Sequence, residues 1–129
     1  MNHRSTLLTA GLLGATGVGL GAFGAHALKD ALLERGMTVA WETASRYQLI
    51  HAIALFVAAG WLHSSQAVIL KRFKWAILCW TGGTVLFSGS LYILALGGPR
   101  WVGPITPLGG IALLAGWLCV VWAALSKEG

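Results

Sequence analysis

Four long apolar stretches, residues 5–28, 47–62, 73–96 and 105–125, fill most of this 129-residue chain and decide its solvent. About 20 apolar residues cross the ~30 Å hydrocarbon core of a bilayer as a helix. In lipid every backbone N–H and C=O must be paired, and a helix does this within one segment. Hydrophobic residues make up 57% of the chain and charged residues 10%, against about 25% charge in an ordinary soluble domain. A soluble core of this size could not hide so much apolar surface. The expected fold is an all-α integral membrane protein, a single domain over residues 1–129 with four transmembrane helices in a tightly packed bundle. Segment 29–46, between the first and second spans, reads as an amphipathic interfacial helix.

The net charge of +5 could suggest nucleic acid, but the basic residues lie between or beside the apolar spans. That is the placement of topology signals and headgroup contacts, so no nucleic-acid partner is expected. Four crossings put both termini on one side. Arg4, Lys71, Arg72, Lys74 and Lys127 then share that side, while Lys29, Arg35, Arg46 and Arg100 lie opposite. The cluster at Lys71–Lys74, read as part of a linker over 64–74, points to cytoplasmic termini. Arg4 ahead of an apolar run and Ala25-His26-Ala27 imitate a secretory signal. The run exceeds the ~7–15 apolar residues of such signals, so an uncleaved first helix is expected. Cys79 and Cys119 sit inside apolar spans without metal-ligand spacing. They read as packing residues near one another, not as a disulfide.

Small residues recur along two spans. Ala10, Gly14, Gly17, Gly21 and Gly24 draw one stripe along the first, and Gly109, Ala112, Gly116, Cys119 and Ala123 another along the fourth. Such stripes let a neighbouring backbone approach closely. Gly19-Leu20-Gly21-Ala22-Phe23-Gly24 matches G-x-G-x-x-G, but no strand precedes it, so its meaning is packing rather than dinucleotide binding. In the interfacial segment, Gly36 should break the helix and Thr38 cap its second piece. Glu42 and Arg46 stand four apart in the favourable order, and Trp41 is placed at headgroup level. Span two is read as continuing the helix begun near Thr38, with His63 at its end.

The scarce polar side chains share a region. His26 lies near the end of span one, Tyr47, Gln48 and His51 open span two, Ser88, Ser90 and Tyr92 lie late in span three, and Thr106 opens span four. Because the helices alternate direction, all fall in the half of the bilayer opposite the termini and are expected to form one polar layer. Polar groups at membrane depth are costly and need a reason. Three readings compete. The layer is structural, hydrogen-bonding helices together at ~0.6–2 kcal/mol each. Or it is a shallow pocket for a lipid headgroup, quinone or other small ligand, with His26, Gln48, His51 and Tyr92 as its polar groups. Or His26 and His51 are axial ligands to haem.

Four motifs, Gly21-Ala22-Phe23-Gly24-Ala25-His26, Tyr47-Gln48-Leu49-Ile50-His51, Leu86-Phe87-Ser88-Gly89-Ser90-Leu91-Tyr92 and Thr106-Pro107-Leu108-Gly109-Gly110, together resemble the DUF423 family. These are small bacterial inner-membrane proteins related to the eukaryotic transmembrane protein 256 group. The resemblance runs from about Gly11 to Leu125. It implies a four-helix protein of the bacterial inner membrane, and carries over no catalytic or ligand role.

No catalytic constellation is evident: Asp30, Glu34 and Glu42 all lie in the surface segment, leaving no carboxylate at membrane depth to orient a histidine. Nor is there a charged residue or broken helix near the midplane of the kind coupled transporters show. No cofactor or metal is assigned. The expected role is non-enzymatic: a structural or accessory subunit packing through its glycine stripes, in the bilayer, with itself or a larger membrane complex. The alternative is a lipid- or quinone-binding module built on the polar layer around His26 and His51.

Overall fold

The computed structural model describes residues 1–62 and 67–125. Its elements are α1 (His3–Ala25), α2 (Lys29–Glu34), α3 (Thr38–Trp61), α4 (Ala67–Ala95), a 3-10 turn (Arg100–Val102) and α5 (Ile105–Ala124), with no strand among the described residues. His63, the start of the 64–74 linker and Lys127 lie outside the described residues.

Three stretches are long and apolar enough to cross a membrane: His3–Ala25, Leu70–Ala95 and Arg100–Ala124. Helix α3 is also 24 residues long, but Glu42 and Arg46 in its first turns dilute its apolar character. α1 packs against α3, α3 against α4, and α4 against α5, with α4–α5 the most extensive contact. The helices turn over their polar and apolar faces as lipid requires. The buried residues of α1 are all small (Thr6, Ala10, Gly17 and Gly24), while Leu7, Leu8, Leu12, Val18 and Phe23 point outward.

Local chemistry sets the ends. Asn2 and Ser5 form a reciprocal capping box at the start of α1, closing two backbone donors that lipid would leave orphaned. Gly36 and Gly97 have φ of +66° and +86°, a left-handed conformation that costs glycine little, and they end α2 and α4. Pro104 stands just before α5 and Pro107 in its first turn, where a missing N–H goes unnoticed.

The segment expected to lie on the membrane surface divides at Gly36. Only the six residues of α2 stand apart; Thr38–Arg46 are the opening turns of α3, in one unbroken helix with span two. Trp41 is 2% exposed, packed with Leu32 and Ala95 and edge-on to Tyr92 at 4.7 Å between ring centres. Thr38 does not cap: Met37 precedes the helix without a side-chain cap. Likewise the Lys71–Lys74 cluster is helical, because α4 begins at Ala67. Lysine and arginine are good helix formers whose long stems let charge reach water from an apolar helix. Arg72 donates to the Trp122 carbonyl at 3.0 Å and lies 4.3 Å over its ring.

Candidate functional site

The polar residues are arranged along the helix seams. Trp41 Nε1 donates to the Leu20 carbonyl at 2.8 Å, Ser45 Oγ to the Gly17 carbonyl at 3.1 Å, and Gln48 Nε2 to the Leu13 carbonyl at 2.9 Å and to Thr16 Oγ1 at 2.8 Å. As α3 climbs, its partners on α1 descend, so these bonds zip an antiparallel pair. Gln48 Oε1 accepts from Tyr92 at 2.9 Å, tying α4 to the same residue. Ser88 Oγ donates to the Ala44 carbonyl at 2.8 Å, and Ser90 and Thr106 share a 2.7 Å hydroxyl–hydroxyl bond between α4 and α5.

His51 has both ring nitrogens engaged. Nδ1 lies 2.7 Å from the Tyr47 carbonyl, which only accepts, so Nδ1 carries the proton. Nε2 accepts from Trp117 Nε1 at 3.2 Å. The ring is 3% exposed and flanked by Trp80 and Trp117. Tyr47 is exposed at 41%, its ring 4.9 Å from that of Phe87.

The polar residues expected to form one layer are spread along the seams rather than gathered at one level. His51 is level with Trp80 near the middle of α4, and the Tyr92 hydroxyl reaches Gln48 one turn away, whereas Ser90 and Thr106 lie toward one end of the bundle. Ten residues separate Trp80 from Ser90, about 15 Å at 1.5 Å per residue. His26 stands apart: it is exposed, just past the end of α1. Gly14, between Gln48's acceptors Leu13 and Thr16, faces Ala52, so His26 lies twelve residues beyond the level of His51, about 18 Å along the axis. That separation and the occupied nitrogens of His51 leave no pair of axial haem ligands. Every donor and acceptor of the Gln48 amide described above already serves a helix, so a pocket formed by Gln48, His51 and Tyr92 would have to break the bundle's own bonds.

The glycine stripes face inward. Gly14, Gly17, Gly21 and Gly24 lie against Ala52, Leu49, Ser45 and Trp41 of α3, while Gly109 and Gly116 lie against Phe87 and Trp80 of α4. A Cβ on Gly24 would occupy the Trp41 indole, and one on Gly109 the Phe87 backbone. The thiols of Cys79 and Cys119 are free.

Two participants escaped the sequence reading, Trp41 and Ser45. With Gln48 they occupy one α3 face at helical spacing, complementary in register to the α1 stripe. That match was the available signal. Thr38 Oγ1, Trp80 Nε1 and Thr84 Oγ1 are buried with no hydrogen-bond partner. Among the described residues Glu42 and Arg46 make no ion pair, despite their favourable spacing.

This apolar helical assembly, bonded along its seams and coated with exposed leucine, isoleucine and tryptophan, is a membrane protein. Residues 20–110 match the family model described as "Protein of unknown function (DUF423)", and the chain belongs to that family. It is 42% identical over 112 residues to a UPF0382 membrane protein of Staphylococcus epidermidis, covering 87% of this chain and 88% of the relative. It is 40% identical over 109 residues to the UPF0382 membrane protein YwdK of Bacillus subtilis, covering 84% and 85%. To the UPF0382 inner membrane protein YgdD of Escherichia coli K12 it is 38% identical over 126 residues, covering 97% and 92%. No solved structure matches.

Proposed function

We propose that this protein is a non-catalytic, four-crossing helical unit of the bacterial inner membrane whose intramembrane polar groups lock its own helices. The observation that carries this reading is Gln48, which joins α1, α3 and α4 through one amide. Its neighbours Trp41, Ser45 and Ser88 use backbone carbonyls as acceptors, and His51 has no free nitrogen to act as base or ligand.

A fourth crossing by α3 is supported by its contacts at both ends of α1. Trp41 meets Leu20 and Gly24 near one end, and the Ala59 carbonyl accepts from His3 Nδ1 at 2.7 Å at the other. A helix that pairs with a spanning helix along its whole length shares its depth. Both termini then lie on the cytoplasmic side with Lys71–Lys74, and the turns at Gly36 and Gly97 lie opposite. The stripes are used within the chain, so association with a second copy or a larger complex uses the outer faces of α1, α4 and α5.

Topology labelling tests the arrangement. Single cysteines at Gly36 and Pro99, in a chain with Cys79 and Cys119 replaced by alanine, should react with an impermeant thiol reagent from the same side, opposite to a cysteine at Asn2. Labelling of 36 and 99 from opposite faces would remove α3 as a crossing. The structural role is tested by Gln48→Leu, which should lower stability in detergent; unchanged stability would leave the amide free for another task.

A further inference from the structure

The flank where α1 meets α3 carries a groove whose charged lining residues take no part in the hydrogen-bonded seam. At its outer end is a cavity of about 550 Å³ between α1, α2 and α3, whose polar lining includes Lys29, Thr38, Glu42 and Arg46, a size within the ~300–1,000 Å³ of small-molecule sites. Deeper along the same flank lies a second, apolar hollow of about 370 Å³, lined by Gly11, Val18, Ile53 and Phe56 among others. Leu49 lines both and stands between them. On α3 the lining positions 42, 46, 49, 53 and 56 follow one helical face. From Arg46 to Phe56 that face runs ten residues, about 15 Å, half of the ~30 Å hydrocarbon core. The groove is thus charged at one end and apolar for the depth of one leaflet.

The charges at its mouth are uncommitted. Among the described residues no ion pair engages Lys29, Glu42 or Arg46, although Glu42 and Arg46 could reach each other on one helix. Thr38 Oγ1, in the same lining, is buried without a partner. Two cations and one carboxylate complement a molecule with a phosphate, a primary ammonium and an acyl chain.

We propose that this groove holds one phosphatidylethanolamine molecule: phosphate against Lys29 and Arg46, ammonium against Glu42, and an acyl chain along Leu49, Ile53 and Phe56. Trp41 and Ser45 of the seam also line the cavity, but Lys29, Glu42 and Arg46 take no part in the seam bonds, so the site stands whether or not that network is purely structural. Glu42 supplies selectivity. A trimethylated choline headgroup offers its carboxylate no N–H donor, and a glycerol headgroup offers no cation.

The test is native mass spectrometry of the full chain released from mild detergent, with added phosphatidylethanolamine, phosphatidylcholine or phosphatidylglycerol of identical acyl chains. One phosphatidylethanolamine per chain should saturate, held about tenfold more tightly than phosphatidylcholine, as expected for one charge-assisted hydrogen bond. Glu42→Gln should erase that preference, and Arg46→Gln should weaken all three lipids. Lys74→Gln, at the opposite end of the bundle, should change nothing. Gly11→Leu fills the apolar hollow from a position whose added Cβ meets nothing within 4 Å. It should reduce lipid retention while keeping the wild-type unfolding temperature, so the proposal remains testable should a charge variant fail to fold. Unsaturable binding without headgroup preference, or a preference that Glu42→Gln leaves intact, overturns the assignment.

Discussion

The two outer seams of the bundle solve the same problem by different means. Between α1 and α3, side chains of one helix donate to backbone carbonyls of the other: Trp41 to Leu20, Ser45 to Gly17 and Gln48 to Leu13. Between α4 and α5 the contact is mainly steric. Gly109 lies on the Phe87 backbone, Gly83 on Leu113 and Gly116 on Trp80, with Ser90–Thr106 as a hydroxyl bond near one end. Lipid tails are as apolar as leucine, so burial of apolar side chains gives helices no reason to associate; close packing and interhelical hydrogen bonds must do it. Each seam emphasises one of these two forces. The α1–α3 pair should therefore fail when a polar group is deleted, and the α4–α5 pair when bulk is added.

The largest effect is expected at Gly109. A leucine there would drive its Cβ into the backbone of Phe87, which cannot rotate away as a side chain can. Overpacking commonly costs about 1–3 kcal/mol and more where backbone must move, so Gly109→Leu should cost about 3 kcal/mol or fail to fold. Denaturant titration in micelles reads it. A loss below about 1 kcal/mol, the low end of that range, would show the α4–α5 seam to be loose.

Deleting the Gln48 amide should come next. Gln48→Leu keeps the volume but removes the bonds to Leu13, Thr16 and Tyr92. At ~0.6–2 kcal/mol for each interhelical bond, with the unfolded state recovering some partners, the net cost should be about 2 kcal/mol. A double-mutant cycle with Tyr92→Phe isolates the α3–α4 component, expected at about 0.6–1.7 kcal/mol. Additive losses would mean that Tyr92 and Gln48 act independently. Ser90→Ala, which removes the α4–α5 hydroxyl bond, should cost only about 0.6 kcal/mol, because the steric contacts persist. A larger loss than at Gln48 would reverse the contrast between the seams.

Much of this fold is legible in the chain, and the exceptions have physical causes. Apolar length gives the helices of spans one, three and four, and glycine periodicity gives the faces that meet. The packing role of Trp41 went unread because a tryptophan beside charged residues ordinarily marks the headgroup level, and only the fold shows that the bare notch at Gly24 receives its ring. The polar residues were expected at one depth because their positions near span ends were counted without the register between helices. Register depends on which carbonyl of α1 meets Gln48 and which turn of α4 meets His51, and neither is a property of one segment. The groove along α1 and α3 was invisible for the same reason: Lys29 and Arg46 lie on different helices and are brought together by the turn at Gly36.

The stripe on α1 supplies the smallest effect and the finest test. Sequence periodicity treats Gly14, Gly17, Gly21 and Gly24 as equivalent, but their surroundings differ. An added Cβ at Gly17 would meet Leu49 Cδ2 at 2.9 Å, and at Gly21 the Ser45 hydroxyl at 2.8 Å, whereas at Gly14 the nearest atom is Ala52 Cβ at 3.9 Å, an ordinary contact. Alanine also favours a helix over glycine by about 0.8–1 kcal/mol in water, a gain that membrane insertion reduces because the unfolded reference is already helical. Gly14→Ala should therefore leave stability within about 0.5 kcal/mol of wild type, on the scale of a surface substitution. Gly21→Ala should cost more, because it displaces the Ser45 hydroxyl from the Gly17 carbonyl. Equal losses at both positions would mean that α1 and α3 are held at one fixed separation along their length, and that the polar bonds follow from this closeness instead of creating it.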